Sequence, residues 1–275
     1  MSNPALDVQE DVCDLRTVQR ISALLDRPDR WTDGDVLPRG WHFGFFIPAE
    51  PQSRLPADGF PTPSEWNIDL PPDARVMLGG RAALFDGDIR IGQKLRRTRT
   101  VTNVERKNGR SGALTIVSRR HEIFAGDCAE PAIIESEDMI YRAPTQAGGG
   151  SPPSPSGPRP IRSSAPRADD SPSPVELFRY SALTFNGHRI HYDASFATGV
   201  EGYPGLVVNG GLTALRLVEL FRSETGREPV RTDTRNRGPI YCGAPATLNL
   251  ERHGNEHRLW AADSEGRCAV EMMAR

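Results

Sequence analysis

The 275-residue sequence contains no apolar run long enough to cross a membrane. Its first residues, MSNPALDVQEDVCDL, are acidic and carry neither the apolar core of a secretory signal nor the arginines of a transit peptide. Net charge is also nearly absent: 34 basic side chains against 36 acidic ones leave −2. Without a strong field of one sign, nucleic acid and anionic membrane are not expected partners. Cysteine is scarce. The four present, Cys13, Cys128, Cys242 and Cys268, are scattered and form no C-x-x-C pair. Free thiols in a reducing cytoplasm are the expectation. What remains is an ordinary globular balance, 37% hydrophobic and 25% charged, in a chain long enough for two domains.

A break in composition divides the chain. Of the 31 residues from 144 to 174, 20 are Pro, Gly or Ser. Such a stretch buries too little apolar surface to offset the entropy of ordering it, so it reads as a linker. The domains expected are residues 1–143 and 175–275. In the first half, Leu15, Val18, Ile21, Leu24 and Leu25 recur at helical spacing, with Pro28 as the stop. An irregular segment rich in aromatics and Pro follows. From Arg75 the pattern becomes four β-rich runs, with Asn108-Gly109 as a hairpin signal between the second and third. The second half repeats this logic. A short strand at Phe178–Tyr180, a polar loop and a helix from about Gly211 to Ser223 precede four further strands.

The polar loop carries the chemistry. Asn186, His188, His191 and Asp193 fall within eight positions, and LVVNGGLTALRLVEL follows about a dozen residues later. Histidine handles protons near neutral pH. A glycine-led helix start, here Gly210 and Gly211, offers backbone N–H groups to a developing oxyanion. Plainer readings exist for each: two glycines also make a sharp turn, and loop histidines are often structural. His188, His191 and Asp193 are also of zinc-ligand type, but no further Cys or Glu stands at ligand spacing, so no metal is expected. Arg81, Lys107 and Arg110 are candidates to meet phosphates within a wider basic set (Arg96, Arg97, Arg119, Arg120, Arg231, Arg235 and Arg237), although charged strand residues usually face solvent. Trp41, His42, Phe43 and Phe45 are candidates for an acyl pocket or for core.

The segment Thr184, Phe185, Asn186, His188, Arg189, His191, Asp193 resembles the S-G-D-x-N-P-x-H-x-D motif of MaoC-like hydratases, in the T-F-N-x-H-R-I-H-Y-D form of the hydroxyacyl-thioester dehydratase type 2 branch. WHFGFFIP, DGFP, MLGGRAALFDGDIRIGQ, KNGRSGALTIVSRRHEI and EDMIYR resemble itaconyl-CoA and 3-methylfumaryl-CoA (mesaconyl-CoA) hydratases, so the resemblance covers nearly the whole chain. It implies an α+β double hotdog, two curved antiparallel sheets each wrapping a helix. It further implies a cytoplasmic lyase that hydrates an enoyl-CoA, or dehydrates a 3-hydroxyacyl-CoA, with CoA as part of the substrate and no cofactor. The internal pseudo-dimer lets a monomer suffice and leaves a homodimer open.

In that resemblance His191 takes the place of the catalytic histidine and Asn186 that of the catalytic aspartate. An amide cannot titrate, so Asn186 is expected to hold water. Gly210 or Gly211 supplies the oxyanion N–H, with Asn209 replacing the family's histidine. His188 and Asp193 are secondary candidates, and Arg189 a candidate clamp for a second carboxylate. The rivals are a fatty-acid-type dehydratase, a thioesterase and a non-catalytic acyl-thioester binder. A thioesterase commonly places a carboxylate on the central helix, where this chain offers only Glu219 and Glu224, far from the glycines. The N-terminal half shows no equivalent polar cluster and is expected to cover the acyl pocket, leaving one site per chain.

Overall fold

Helix α1 (Leu15–Leu24) forms where the sequence periodicity places it, and Val18 and Ile21 are fully buried. Asp14 begins it, its carboxylate accepting the Thr17 N–H at 2.9 Å. It stops at Leu25, before Asp26 turns to φ +50°, two residues ahead of Pro28. The computed structural model describes residues 6–61, 68–70, 74–109, 112–143 and 167–275.

Around α1 lie β1 (Leu6–Val12), β2 (Arg75–Phe85), β3 (Lys94–Gly109), β4 (Gly112–Ala125) and β5 (Ile133–Arg142). The second half holds β6 (Arg167–Asp170), α2 (Pro174–Leu183), α3 (Ala194–Gly199), α4 (Gly210–Thr225), β7 (Arg231–Asn236), β8 (Ala246–His253), β9 (Glu256–Ala262) and β10 (Cys268–Ala274). All ten strands join one antiparallel sheet in the order β1-β3-β4-β5-β2-β7-β10-β9-β8-β6. Each half therefore has the same five-strand topology, and the two meet edge to edge where β2 pairs with β7, Gly80↔Arg235 through Leu84↔Arg231. The two expected sheets are in this way continuous. A side chain at Gly80 would press on the Thr234 carbonyl at 2.7 Å, so the seam needs a glycine there.

Each helix packs on its own half-sheet. Leu212, Leu217, Val218 and Phe221 of α4 sit with Leu250, Leu259 and Met272, and Ile21 of α1 sits with Phe85, Ile123 and Ile133. The cores interlock, because Leu24 of α1 enters the α4 core and Leu215 of α4 enters the α1 core. All four cysteines are unpaired thiols.

Three sequence expectations change. Strands β1 and β6, with charges along them, lie where no strand was expected. Strand β6 pairs with β8 inside the 144–174 stretch, so the second half begins at Arg167, and residues 144–166 lie outside those described. Phe178–Tyr180 belongs to helix α2 rather than a strand. Its start was legible: Pro174 occupies the first turn, and Ser173 and Glu176 exchange capping hydrogen bonds, Ser173 N–H donating to Glu176 Oε2 at 2.8 Å. The hairpin joins β3 to β4 with Gly109 opposite Gly112, just beyond the expected Asn108-Gly109 turn.

Candidate active site

Helix α2 ends on Thr184, with the Asn186 N–H reaching back to the Ser181 carbonyl at 2.8 Å. This closure requires a left-handed residue next to the end, and Phe185 fills it at φ +49° where glycine is usual. The turn delivers Asn186 to the start of the motif loop. Asn186 Oδ1 accepts the His188 N–H at 3.0 Å, so one face of the amide is used locally while Nδ2 has no partner among the described residues.

A 3-10 turn over Arg189–His191 then buries both histidines, each about 8% exposed. Their rings meet edge to face with centroids 5.4 Å apart. His191 Nδ1 lies 2.7 Å from the Val207 carbonyl. A carbonyl only accepts, so Nδ1 carries the proton and Nε2 presents its lone pair. Nε2 bonds nothing among the described residues. Burial pushes His191 down to about 3, with neighbouring His188 adding to it, and burial alone pushes His188 down to about 4. Both rings are neutral at pH 7.

The Val207 carbonyl stands two residues before Asn209, which leads into α4, so His191 is tied to the helix entrance. Gly210 and Gly211 open that helix with N–H groups that find no acceptor among the described residues. Asn209 does not cap them: its side chain is 2% exposed and neither amide atom is bonded. The equivalent helix α1 is closed by its own Asp14 carboxylate. One helix start is thus filled with an anion and the other left open for one. The entrance is narrow. A side chain on Gly211 would collide with the Tyr180 hydroxyl, and one on Gly210 would lie 3.1 Å from Asn236 Oδ1. Tyr180, stacked on Phe43 with centroids 5.4 Å apart, is pushed up to about 12, by burial first and by Glu135 after it.

The remaining expected residues fall elsewhere. Asp193 does not reach His191. It caps α3, accepting the Phe196 N–H at 3.0 Å, and pairs with Arg189 at 2.8 Å. Arg189 is also held by the Ala57 carbonyl and lies over the Phe196 ring, which makes it a loop clamp rather than a substrate clamp. Lys107 is exposed and pairs with Glu105 at 2.9 Å. Arg110 lies outside the described residues. Arg81, its side chain half-buried, lies between Glu135 at 3.4 Å and Glu137 at 2.9 Å.

The N-terminal half does have a polar cluster, contrary to the sequence reading. Glu135 and Glu137 alternate on the inner face of β5. His42 meets Glu135 at 3.0 Å, His121 meets Glu137 at 3.1 Å, and Arg119 pairs with Glu137. Burial opposes ionisation, yet Arg81 and His42 hold Glu135 at about 2, and Arg119 and His121 hold Glu137 well below the carboxylate range. His121, Glu135 and Glu137 are close enough to ligate a cation, but Arg81 and Arg119 already serve those carboxylates. Of the acyl-pocket candidates, Trp41 and Phe45 are core, with Trp41 Nε1 donating to Glu219 at 2.8 Å. Sequence reasoning missed Tyr180 and Asn236, which crowd the Gly210–Gly211 helix start, and Asp58, which meets the motif across 130 positions.

Two half-sheets that each wrap a helix are the double-hotdog arrangement, and the relatives of this chain make it a hydro-lyase of acyl thioesters. The sequence profile of hydroxyacyl-thioester dehydratase type 2 matches residues 40–242, and the chain belongs to that family. It is 36% identical over 269 residues to mesaconyl-C(4)-CoA hydratase of Chloroflexus aurantiacus, covering 96% of this chain and 92% of the relative. Among solved structures, HtdX of Mycobacterium tuberculosis superposes with a TM-score of 0.69 at 15% identity, covering 98% of this chain and 99% of that one. A second protein of that organism, described as a double hotdog, gives a TM-score of 0.58 at 10% identity, covering 100% of this chain and 96% of that one. No helix among the described residues is long and apolar enough to cross a membrane.

Proposed function

We propose that the chain adds water reversibly across the α,β double bond of an enoyl-CoA, with a short branched dicarboxylic acyl group of the mesaconyl or itaconyl kind. The 36% identity to a mesaconyl-C(4)-CoA hydratase over nearly the full length supports the acyl class. The observation that carries the reaction is the His191 ring, with Nδ1–H on the Val207 carbonyl, three residues ahead of the glycine start of α4, and Nε2 unbonded among the described residues.

The steps follow from this geometry. The thioester oxygen docks on the two N–H groups, where the helix dipole favours the negative charge that builds there. His191 Nε2 takes a proton from water as the oxygen bonds to Cβ, and the electron pair of the double bond moves into the enolate. The imidazolium then returns that proton to Cα. Asn186 offers Nδ2 to the water, or to the hydroxyl in the reverse direction. Electrons balance without a redox partner, so no cofactor beyond the CoA moiety is needed, and one chain holds every group named.

Thioester hydrolysis is less well served. Glu219 is bound to Trp41 Nε1 at 2.8 Å and to Arg222, far along α4 from the glycines. A panel of enoyl-CoA substrates tests the reading. The conjugated thioester absorbance should fall without release of free thiol, and His191→Ala should lose at least about a hundredfold in kcat. Thiol release, or full activity in a folded His191→Ala protein, refutes it.

A further inference from the structure

The groups assigned so far include no carboxylate. Asn186 cannot titrate, Asp193 is spent on the α3 cap and Arg189, and Glu219 lies far along α4. One carboxylate does reach the paired histidines, and it comes from the other half of the chain. Asp58 Oδ2 stands 3.9 Å from His188 Nε2, and His188 in turn meets the His191 ring with centroids 5.4 Å apart.

The loop carrying Asp58 is built onto the motif. The Asp58 carbonyl accepts the Arg189 N–H at 2.8 Å, and the Ala57 carbonyl accepts Arg189 Nη1 at 3.1 Å. Asp58 Oδ1 accepts the Phe60 N–H at 3.0 Å, and Oδ2 is the oxygen on the His188 side. Phe60 packs edge-on against His188 at 5.6 Å. Gly59 and Gly187 pass backbone to backbone: a Cβ on Gly187 would lie 2.9 Å from the Gly59 carbonyl, and one on Gly59 would run into that of Gly187. A staple between the halves would need these backbone contacts alone. It would not need an acid aimed at an active-site ring.

The chemistry has a use for that acid. His191 must carry a positive charge midway through the reaction, in a buried place that penalises it. We propose that Asp58 is the carboxylate of this active site, a positioning residue that orients His188 and, through it, stabilises the imidazolium of His191. This rests on the hydratase reading. Among the described residues, the charges near the pair include Glu201, which shares the Asp58 field and is bound by Arg75 at 2.9 Å, with Arg142 near it, and the Arg189–Asp193 pair.

Asp58→Asn tests the proposal, because an amide keeps the Oδ1 acceptor for Phe60 and every backbone bond. The expected result is a kcat lower by at least about tenfold with KM within about twofold, the scale of a group assisting acid/base chemistry. The acidic limb of kcat should move to lower pH. Restoring a carboxylate on the motif loop, in D58N/N186D, should recover part of the loss. Wild-type kcat and pH profile in D58N overturn the proposal, whatever happens to thermal stability. Histidine titration by NMR reads the same contact without substrate: His188 should titrate lower in D58N, and an unchanged His188 also overturns it. A wild type inactive on every enoyl-CoA, with His188 still shifted in D58N, would remove the hydratase reading and uphold the Asp58–His188 pair.

Discussion

Acidification from pH 7 to pH 5 should destabilise this fold by about 4 kcal/mol through His188 and His191 alone. In the unfolded chain both rings titrate near about 6.5. In the folded chain burial holds them at about 4 and about 3. At pH 5 the unfolded state has therefore bound nearly one proton at each position and the folded state almost none. Stability falls wherever the unfolded state binds more protons, at about 1.4 kcal/mol per pH unit per group. Each histidine thus removes about 2 kcal/mol between about pH 6.5 and pH 5, and more as pH falls toward the folded values. The stabilisation is present in full above about 6.5, the side on which the free imidazole is neutral. Glu135, held at about 2, loses its contribution only below the ordinary carboxylate range and stays outside this window. The assay is urea unfolding of the wild type and of a His188→Gln/His191→Gln variant at pH 7, 6 and 5. The variant should start at a different stability and lose about 4 kcal/mol less across the interval. Parallel pH dependences in the two proteins would show that these rings are not buried neutral, and the tautomer assigned to His191 would fall with them.

Other perturbations read other parts of the site. Gly211→Ala puts a methyl against the Tyr180 hydroxyl, which the Phe43 stack holds in place; kcat should fall at least about tenfold, and steady-state kinetics showing wild-type turnover would deny the open N–H groups their role. Phe185→Gly relieves a left-handed φ of +49° on a side chain that is 69% exposed, so urea unfolding should show a gain of up to about 1 kcal/mol, and a loss would mean the ring contributes packing. Calorimetric titration with an unreactive acyl-CoA should saturate at one equivalent per chain, because Asp14 already fills the start of α1; two equal sites would contradict that reasoning.

Local signals in the sequence were enough for much of this protein. The helical spacing from Leu15 to Leu24, the β-rich runs of β2 to β5 and β7 to β10, and the glycine start of α4 each encode their own backbone angles, because they depend on neighbours within a few residues. They made the repeat of a helix with strands legible, and they pointed to His191. The first turn of α2 was equally local, in Ser173-x-x-Glu176, but the apolar and aromatic run that follows it reads as a strand when taken alone. Tertiary structure decided the rest. Pairing of β2 with β7 joins residues about 150 apart, and only that seam turns two sheets into one. Strand register settled Arg81: with a period of two, one face is solvent and the other is the Glu135–Glu137 interior, and composition cannot choose between them. Asp193 stands two residues from His191 in sequence, yet it caps a helix, while the Val207 carbonyl, 16 residues away, fixes the ring. Asp58 reaches His188 across 130 positions because two glycines let the chains touch. Backbone conformation is a short-range property and can be read from a short window; which side chain meets which is set by how distant segments pack, and that is where the chemistry of this site was decided.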